Sequence, residues 1–186
     1  AVSALTTEVT ARVHQAAPNA SLDWCAPSLD TYHQVVDEEI DIAMHVANQA
    51  LPDGVAEQLL PPLPRFVFAR SGHPALADWS LEAWLKWPHV MVGIPNSARG
   101  GVGDSIVRIG HERRIGARVQ LHADIPPILA GTDMLAHQIV LALLNDIDRY
   151  GLKILMSPVQ LPDLTFRLFW NARMASDPGN CWIRTI

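Results

Sequence analysis

The chain is 186 residues long, 49% apolar and 18% charged, which excludes a disordered polar segment and fits one substantial domain or two small lobes. Its formal charge of −5 excludes the clustered Lys and Arg surface that a protein needs to track phosphates. The opening AVSALTTEVTARVHQAAP lacks the basic start and apolar core of a signal peptide, and no later apolar run reaches membrane-span length, so neither a preprotein nor a membrane protein is expected. Cys25 and Cys181 are too few for a disulfide framework and read as buried thiols of a reducing compartment, the cytoplasm.

Leu5, Val9 and Val13 recur at helical spacing and predict a helix over 4–16, stopped by Pro18-Asn19. The alternating SLDWC then predicts a strand, Ser28 or Asp30 caps a helix containing Tyr32, Val35 and Val36, and EIDIAMHVA predicts a buried strand. Helix and strand alternating over short connections mark a parallel sheet covered by helices, so the expected class is α/β. After the proline-rich LLPPLP, RFVFAR forms a strand that crosses between lobes and ends at SGHPAL. SLEAWLKWPHVMVG predicts a helix capped at Ser80 and a strand over 89–92. GVGDSIVRIG predicts a helix, ARVQLHA a strand, and the stretches around PPILAGTDML and HQIVLALLNDIDRY two more helices. GLKILMSPVQLP runs back as a second extended crossing, LTFRLFW forms a long strand, and Asp177-Pro178 starts a last helix carrying Trp182. Two crossings imply a discontinuous lobe I of residues 1–65 and 158–186, with lobe II, residues 66–157, inserted into it.

Motifs for catalysis are lacking. None of the eight histidines are paired at helical i, i+4 spacing and no Cys or carboxylate cluster accompanies them, so no metal site is expected. There is no GxSxG elbow, and RGGVGDS lacks the Walker lysine; it reads as a tight turn into a helix, whose amides retain a weaker capacity to hold an anion. No residue is assigned as catalytic and no cofactor is expected. The six tryptophans read as core or subunit contacts, with Trp24 on its early strand suited to a dimer interface, and Trp170 and Trp182 anchoring the returning strand and last helix.

Several ordered segments carry a likeness to a known family: EIDIAMHV, ARSGHPAL with its His-Pro pair, WPHVMVG, IGHERRIGARV, LAGTDMLA, and the closing LFWNARMASDPGNCWIR. In that order the chain resembles the effector-binding regulatory domain of LysR-type transcriptional regulators, without the winged helix-turn-helix that precedes it in a full member. The resemblance implies a two-lobed, periplasmic-binding-protein-like type 2 fold, each lobe a mainly parallel sheet flanked by helices. It also implies a homodimer or homotetramer, and DNA contact only through the N-terminal domain that is absent here. The pairing surfaces it implies are helix 1, the strand bearing Trp24 and the helix after Gly103. A solute-binding protein of a transporter is the alternative on the same fold.

In open α/β lobes ligands bind beyond the carboxyl ends of parallel strands. That rule selects Ser3, Ser28 and His45 from the first lobe, and Asn96, Ser97, Arg99, His122, Asp124 and Thr132 from the second, as the effector-binding set in the interlobe cleft. The segment with Ser97 and Arg99 resembles one that contacts effectors in family members responsive to aromatic acids. Arg99 would pair with the carboxylate of a small anionic effector, with the serine hydroxyls orienting it, or it is a solvent-exposed loop residue. His45 stands where the family often has a small residue, and it reads equally as a cleft group or as a satisfied histidine at a strand end. For Thr132-Asp133 a helix N-cap is the favoured role.

Overall fold

The computed structural model describes residues 3–25, 28, 30–93 and 100–186. The chain divides into two compact units, Leu5–Leu63 with Leu164–Ile186, and Pro64–Asp163.

In the first unit, α1 (Ser3–Ala16) follows the predicted spacing, although Val13 alone of its three periodic residues is fully buried. SLDWC is not a strand. Ala20 N–H turns back to the Ala17 carbonyl, and the Trp24 indole donates to Thr10 Oγ1 at 3.0 Å while the ring stays 48% exposed, so the alternation of Leu22 and Trp24 faces no sheet. Nor is Cys25 a buried thiol: it is exposed, and Cys181 is half-buried. A short α2 (Thr31–Val36) has Asp30 at its N-cap position without a side-chain cap bond, and Ser28 does not cap it either. Strand β1 (Ala43–Val46) is half-buried throughout and shorter than the apolar text implied. An edge strand, β2 (Val55–Leu59), was not anticipated, because its outer half, Glu57 to Leu59, is exposed and carries no apolar pattern.

The strand that organises this unit comes from the chain's far end. β8 (Phe166–Asn171) lies between β1 and β2 and pairs antiparallel with both, His45 opposite Arg167 and Leu59 opposite Arg167. Arg167, Phe169 and Asn171 share the face that α2 covers: Tyr32 stacks on Phe169 with ring centroids 4.7 Å apart, and Asn171 Nδ2 donates to the Val36 carbonyl at 2.8 Å. Beyond β8, Asp177 caps α7 (Pro178–Ile183) by accepting from the Asn180 N–H at 2.8 Å, with proline in the first turn. Asp177→Ala is expected to cost about 1 kcal/mol of stability, measurable by urea unfolding; a cost near zero would mean the cap contributes nothing. Trp170 is buried under the Arg184 guanidinium, 3.9 Å above its ring, whereas Trp182 is 38% exposed and does not serve as the expected anchor.

The second unit holds a five-stranded sheet in the order β5-β4-β6-β3-β7. Its strands are β3 (Arg65–Arg70), β4 (His89–Val92), β5 (Ile115–Val119), β6 (Leu135–Ile139) and β7 (Leu152–Leu155). The parallel pairing expected of both sheets is found here, in β5-β4-β6; β3 runs antiparallel to β6 and β7, as β8 does to its neighbours, because each is a crossing segment rather than a product of helix crossovers. The Ser80 hydroxyl caps α3 (Leu81–Lys86) as predicted, accepting from Ala83 N–H at 3.2 Å. α4 (Gly100–Arg108) and α5 (Ile125–Gly131) link β4 to β5 and β5 to β6. A bulge between His89 and Val90 faces Gly116, where an added Cβ would lie 2.8 Å from Pro88 Cβ and 2.9 Å from Met134 Cε, so only glycine fits.

LAHQI, expected within a helix, is β6: all five residues are buried, and only the four-residue α6 (Val140–Leu143) follows. A continuous apolar run that is buried on every side carries no period that separates strand from helix. For the same reason Thr132-Asp133 is not a helix N-cap. Thr132 closes α5, its Oγ1 donating to the Ile128 carbonyl at 2.7 Å, and Asp133 accepts from Arg70 Nη2 at 2.6 Å.

Candidate functional site

Strand order places a topological switch at the carboxyl end of β4. The chain leaves β4 through α4 to β5 on one side, then returns through α5 to β6 on the other. Loops diverge at such a point and leave a crevice for a ligand. Among the described residues two polar segments meet this edge of the sheet, the turn over 122–124 and the end of β6. Asn96, Ser97 and Arg99 lie outside the described residues. His122 opens the turn, hydrogen-bonded to the Gln138 side chain, while its Nδ1 is buried without a partner. Burial lowers the His122 pKa and the Gln138 bond opposes this, so the ring is neutral at physiological pH, with one nitrogen available. Asp124 ends the same turn, exposed, without capping α5. Thr132 stands at the opposite edge: α5 carries the chain back, over about 10 Å, to the amino end of β6, so Thr132 does not join the others.

The corresponding edge of the first unit holds His45, the third residue of β1. Its Nδ1 lies 3.3 Å from the Val46 carbonyl and its ring meets Tyr32 edge-on at 6.0 Å. Beside it sits Arg167, a buried residue whose Nε is 3.2 Å from Glu57 Oε2, near enough for ion pairing but off the line that a hydrogen bond requires. The Tyr32 hydroxyl is also buried without a partner. Ser28 is exposed, and its hydroxyl is taken up locally, donating to Gln34 Oε1 at 3.1 Å. Ser3 opens α1, and its side chain lies outside the described ones.

Arg167, Tyr32 and Gln138 were not among the residues selected from the sequence. Arg167 and Gln138 carried a signal nonetheless: a charge inside LTFRLFW and an amide inside LAHQIV are polar interruptions of buried strands, and such groups are kept only with partners or a purpose.

The whole chain answers to one family model, that of the LysR substrate binding domain, over residues 1–185. The chain belongs to that family. Among curated relatives, the HTH-type transcriptional activator NagR of Ralstonia sp is 34% identical over 118 residues, 63% of this chain and 39% of NagR. Nodulation protein D 2 of Rhizobium tropici is 25% identical over 189 residues, covering 96% of this chain and 57% of the relative. The chain thus spans well under two thirds of the length of these relatives. Among solved structures, the regulatory domain of MexT, a transcriptional activator in Pseudomonas aeruginosa, superposes with a TM-score of 0.83 at 20% identity, covering 96% of this chain and 88% of that one. The effector binding domain of QuiR in complex with shikimate gives 0.70 at 13% identity, covering 97% and 87%. The fold is therefore the α/β, periplasmic-binding-protein-like type 2 fold of LysR regulatory domains, and the family is one of ligand binding rather than catalysis.

Proposed function

We propose that this chain is the sensing domain of a LysR-type transcriptional regulator that acts in the cytoplasm. The two units are lobe I and lobe II of that domain, and it binds a small anionic effector. The effector favours one arrangement of a homodimer or homotetramer, and so repositions DNA-binding domains carried elsewhere in the full protein. The observation that carries this reading is the match of the LysR substrate binding domain to residues 1–185. Two polar groups at strand carboxyl ends support it, His45 in the first unit and His122 in the second. The QuiR domain, solved with shikimate, supports the class of ligand, and the transcriptional activators among the relatives favour a regulator over a transporter's solute-binding protein. An effector can shift the assembly only by its differential affinity for the two arrangements.

A thermal-shift screen of small acids, amines and neutral metabolites tests the reading. A true effector at about 100 times its Kd stabilises the fold by about 2.7 kcal/mol. His122→Ala is expected to weaken the best hit about tenfold, the worth of one buried hydrogen bond. A screen in which no compound of any charge raises the melting temperature sinks the proposal. The candidate contacts Ser3, Asn96, Ser97, Arg99 and Asp124 stay part of it and are tested by the same titration.

A further inference from the structure

Arg167 poses a physical problem for the first unit. It stands at the centre of the sheet, on the middle strand, with its side chain only 9% exposed. A guanidinium carries five N–H donors, and a buried one is normally held by several acceptors. Among the described residues its Nε is buried with no hydrogen-bond partner. Its one partner is Glu57, misaligned on the edge strand β2 and 38% exposed, a carboxylate that water can solvate if the pair opens. On the same face of the sheet, which α2 covers, the Tyr32 hydroxyl is buried and likewise unpartnered. Two orphaned polar groups of matching character, one cationic and both donors, call for a shared acceptor. Around them the face is aromatic: Phe169, two residues along β8 from Arg167, stacks with Tyr32 at 4.7 Å, and His45 meets Tyr32 edge-on.

Resting on the sensing role proposed above, we infer that Arg167 is the anion anchor of the effector site, taking the carboxylate of an aromatic or other planar acid. The planar fork of a guanidinium fits a carboxylate by two parallel hydrogen bonds, and the Tyr32 hydroxyl donates a further one from α2. Glu57 is the placeholder that the ligand displaces. A single carboxylate suits the site better than a doubly charged phosphate, because Glu57 stays close enough to oppose a second negative charge. The anchor thus lies on the chain's last strand, not only in the segment bearing Arg99.

Three variants separate this role from a structural one. Arg167→Met keeps the length of the side chain and removes the charge; without ligand it is expected to melt at or above the wild-type temperature, because an under-satisfied buried guanidinium adds little stability. Tyr32→Phe removes only an oxygen that bonds to nothing in the fold. Glu57→Gln removes the placeholder's charge at an exposed position. With benzoate and acetate as probes, joined by any acid found in the screen, and with benzamide and acetamide as neutral controls, calorimetric titration of the wild type should detect the acids and not the amides. Arg167→Met should weaken acid binding by about 10- to 100-fold and Tyr32→Phe by about 3- to 10-fold, while Glu57→Gln strengthens it. Acid binding unchanged in Arg167→Met overturns the anchor and leaves the sensing role standing. So does a screen whose hits are all neutral or cationic. A fall in melting temperature of more than about 5 °C for ligand-free Arg167→Met, the mark of a structural arginine, also overturns it. Absence of hits of any kind removes both.

Discussion

Trp84→Ala is expected to destabilise the second unit by about 4 kcal/mol, within the range for emptying a buried tryptophan site, and to lower the melting temperature by about 10 °C. Trp84, from α3, is fully buried among Val67 and Ala69 of β3, Leu135 of β6, and Val102 and Ile106 of α4. It is thus the wedge on which one face of the five-stranded sheet closes. Its indole N–H also donates to His137 Nε2 at 2.9 Å, and its carbonyl accepts from His89 Nε2 at 3.1 Å. Alanine removes the ring and leaves His137 without that donor, so part of the cost is polar. Trp84→Phe reduces the packing loss, since it keeps one aromatic ring in the site while losing the N–H and the rest of the indole; a cost of about 1–3 kcal/mol is the expected order. Urea unfolding followed by far-UV circular dichroism measures both. A loss below about 1 kcal/mol for alanine would mean that the wedge is dispensable.

The same cluster predicts a fall in stability below pH 6.5. His89 and His137 lie with rings 19° from parallel and centroids 6.1 Å apart, both against Trp84. Burial drives both toward the neutral form. His89 falls to about 4, through desolvation first, with the Trp84 carbonyl opposing and the Arg113 charge assisting. His137 is also pushed well below its ordinary value, by desolvation and then by the charges of His89, Arg113 and Arg65. Each of these groups binds a proton more readily in the unfolded chain, so the unfolded state gains protons as pH falls from about 6.5 toward 4. The stabilisation is complete above pH 6.5 and is lost across that interval, by about 3 kcal/mol from His89 alone, with His137 acting in the same direction. Between pH 6.5 and 5 most carboxylates remain ionised, which makes this the diagnostic window. Denaturant titrations at pH 7, 6 and 5 should show the decline, and His89→Gln should flatten it. A wild type equally stable at pH 7 and 5 contradicts the buried neutral pair. His73 and His122, also lowered by burial, contribute with the same sign.

Both effects depend on His137, which meets Trp84 and His89 from a distant segment, and the candidate site has the same character. His45 and His122 were legible because a polar residue at the end of an apolar strand stands out in one dimension. Arg167 and Tyr32 were not selected, since their joint meaning depends on β8 pairing with β1 across some 120 residues and on α2 folding over that pair. Thr132 shows the reverse error: its position after an apolar stretch looked like a loop at the ligand edge, yet the direction of α5 carries it to the other end of the sheet.

By itself the sequence determined the α/β class, the capping residues Ser80 and Asp177, the strand over 89–92, and an ordered set of segments specific enough to name the family. These rest on local chemistry, namely periodicity, caps and proline punctuation, and local chemistry is written in consecutive residues. Only the tertiary structure decided that SLDWC is no strand, that LAHQI is one, that β3 and β8 run antiparallel to their neighbours, and that Arg167 Nε and the Tyr32 hydroxyl are buried without partners. Those outcomes depend on which surfaces are covered and by what. Burial and pairing are properties of contacts between distant segments, and a linear pattern does not contain them.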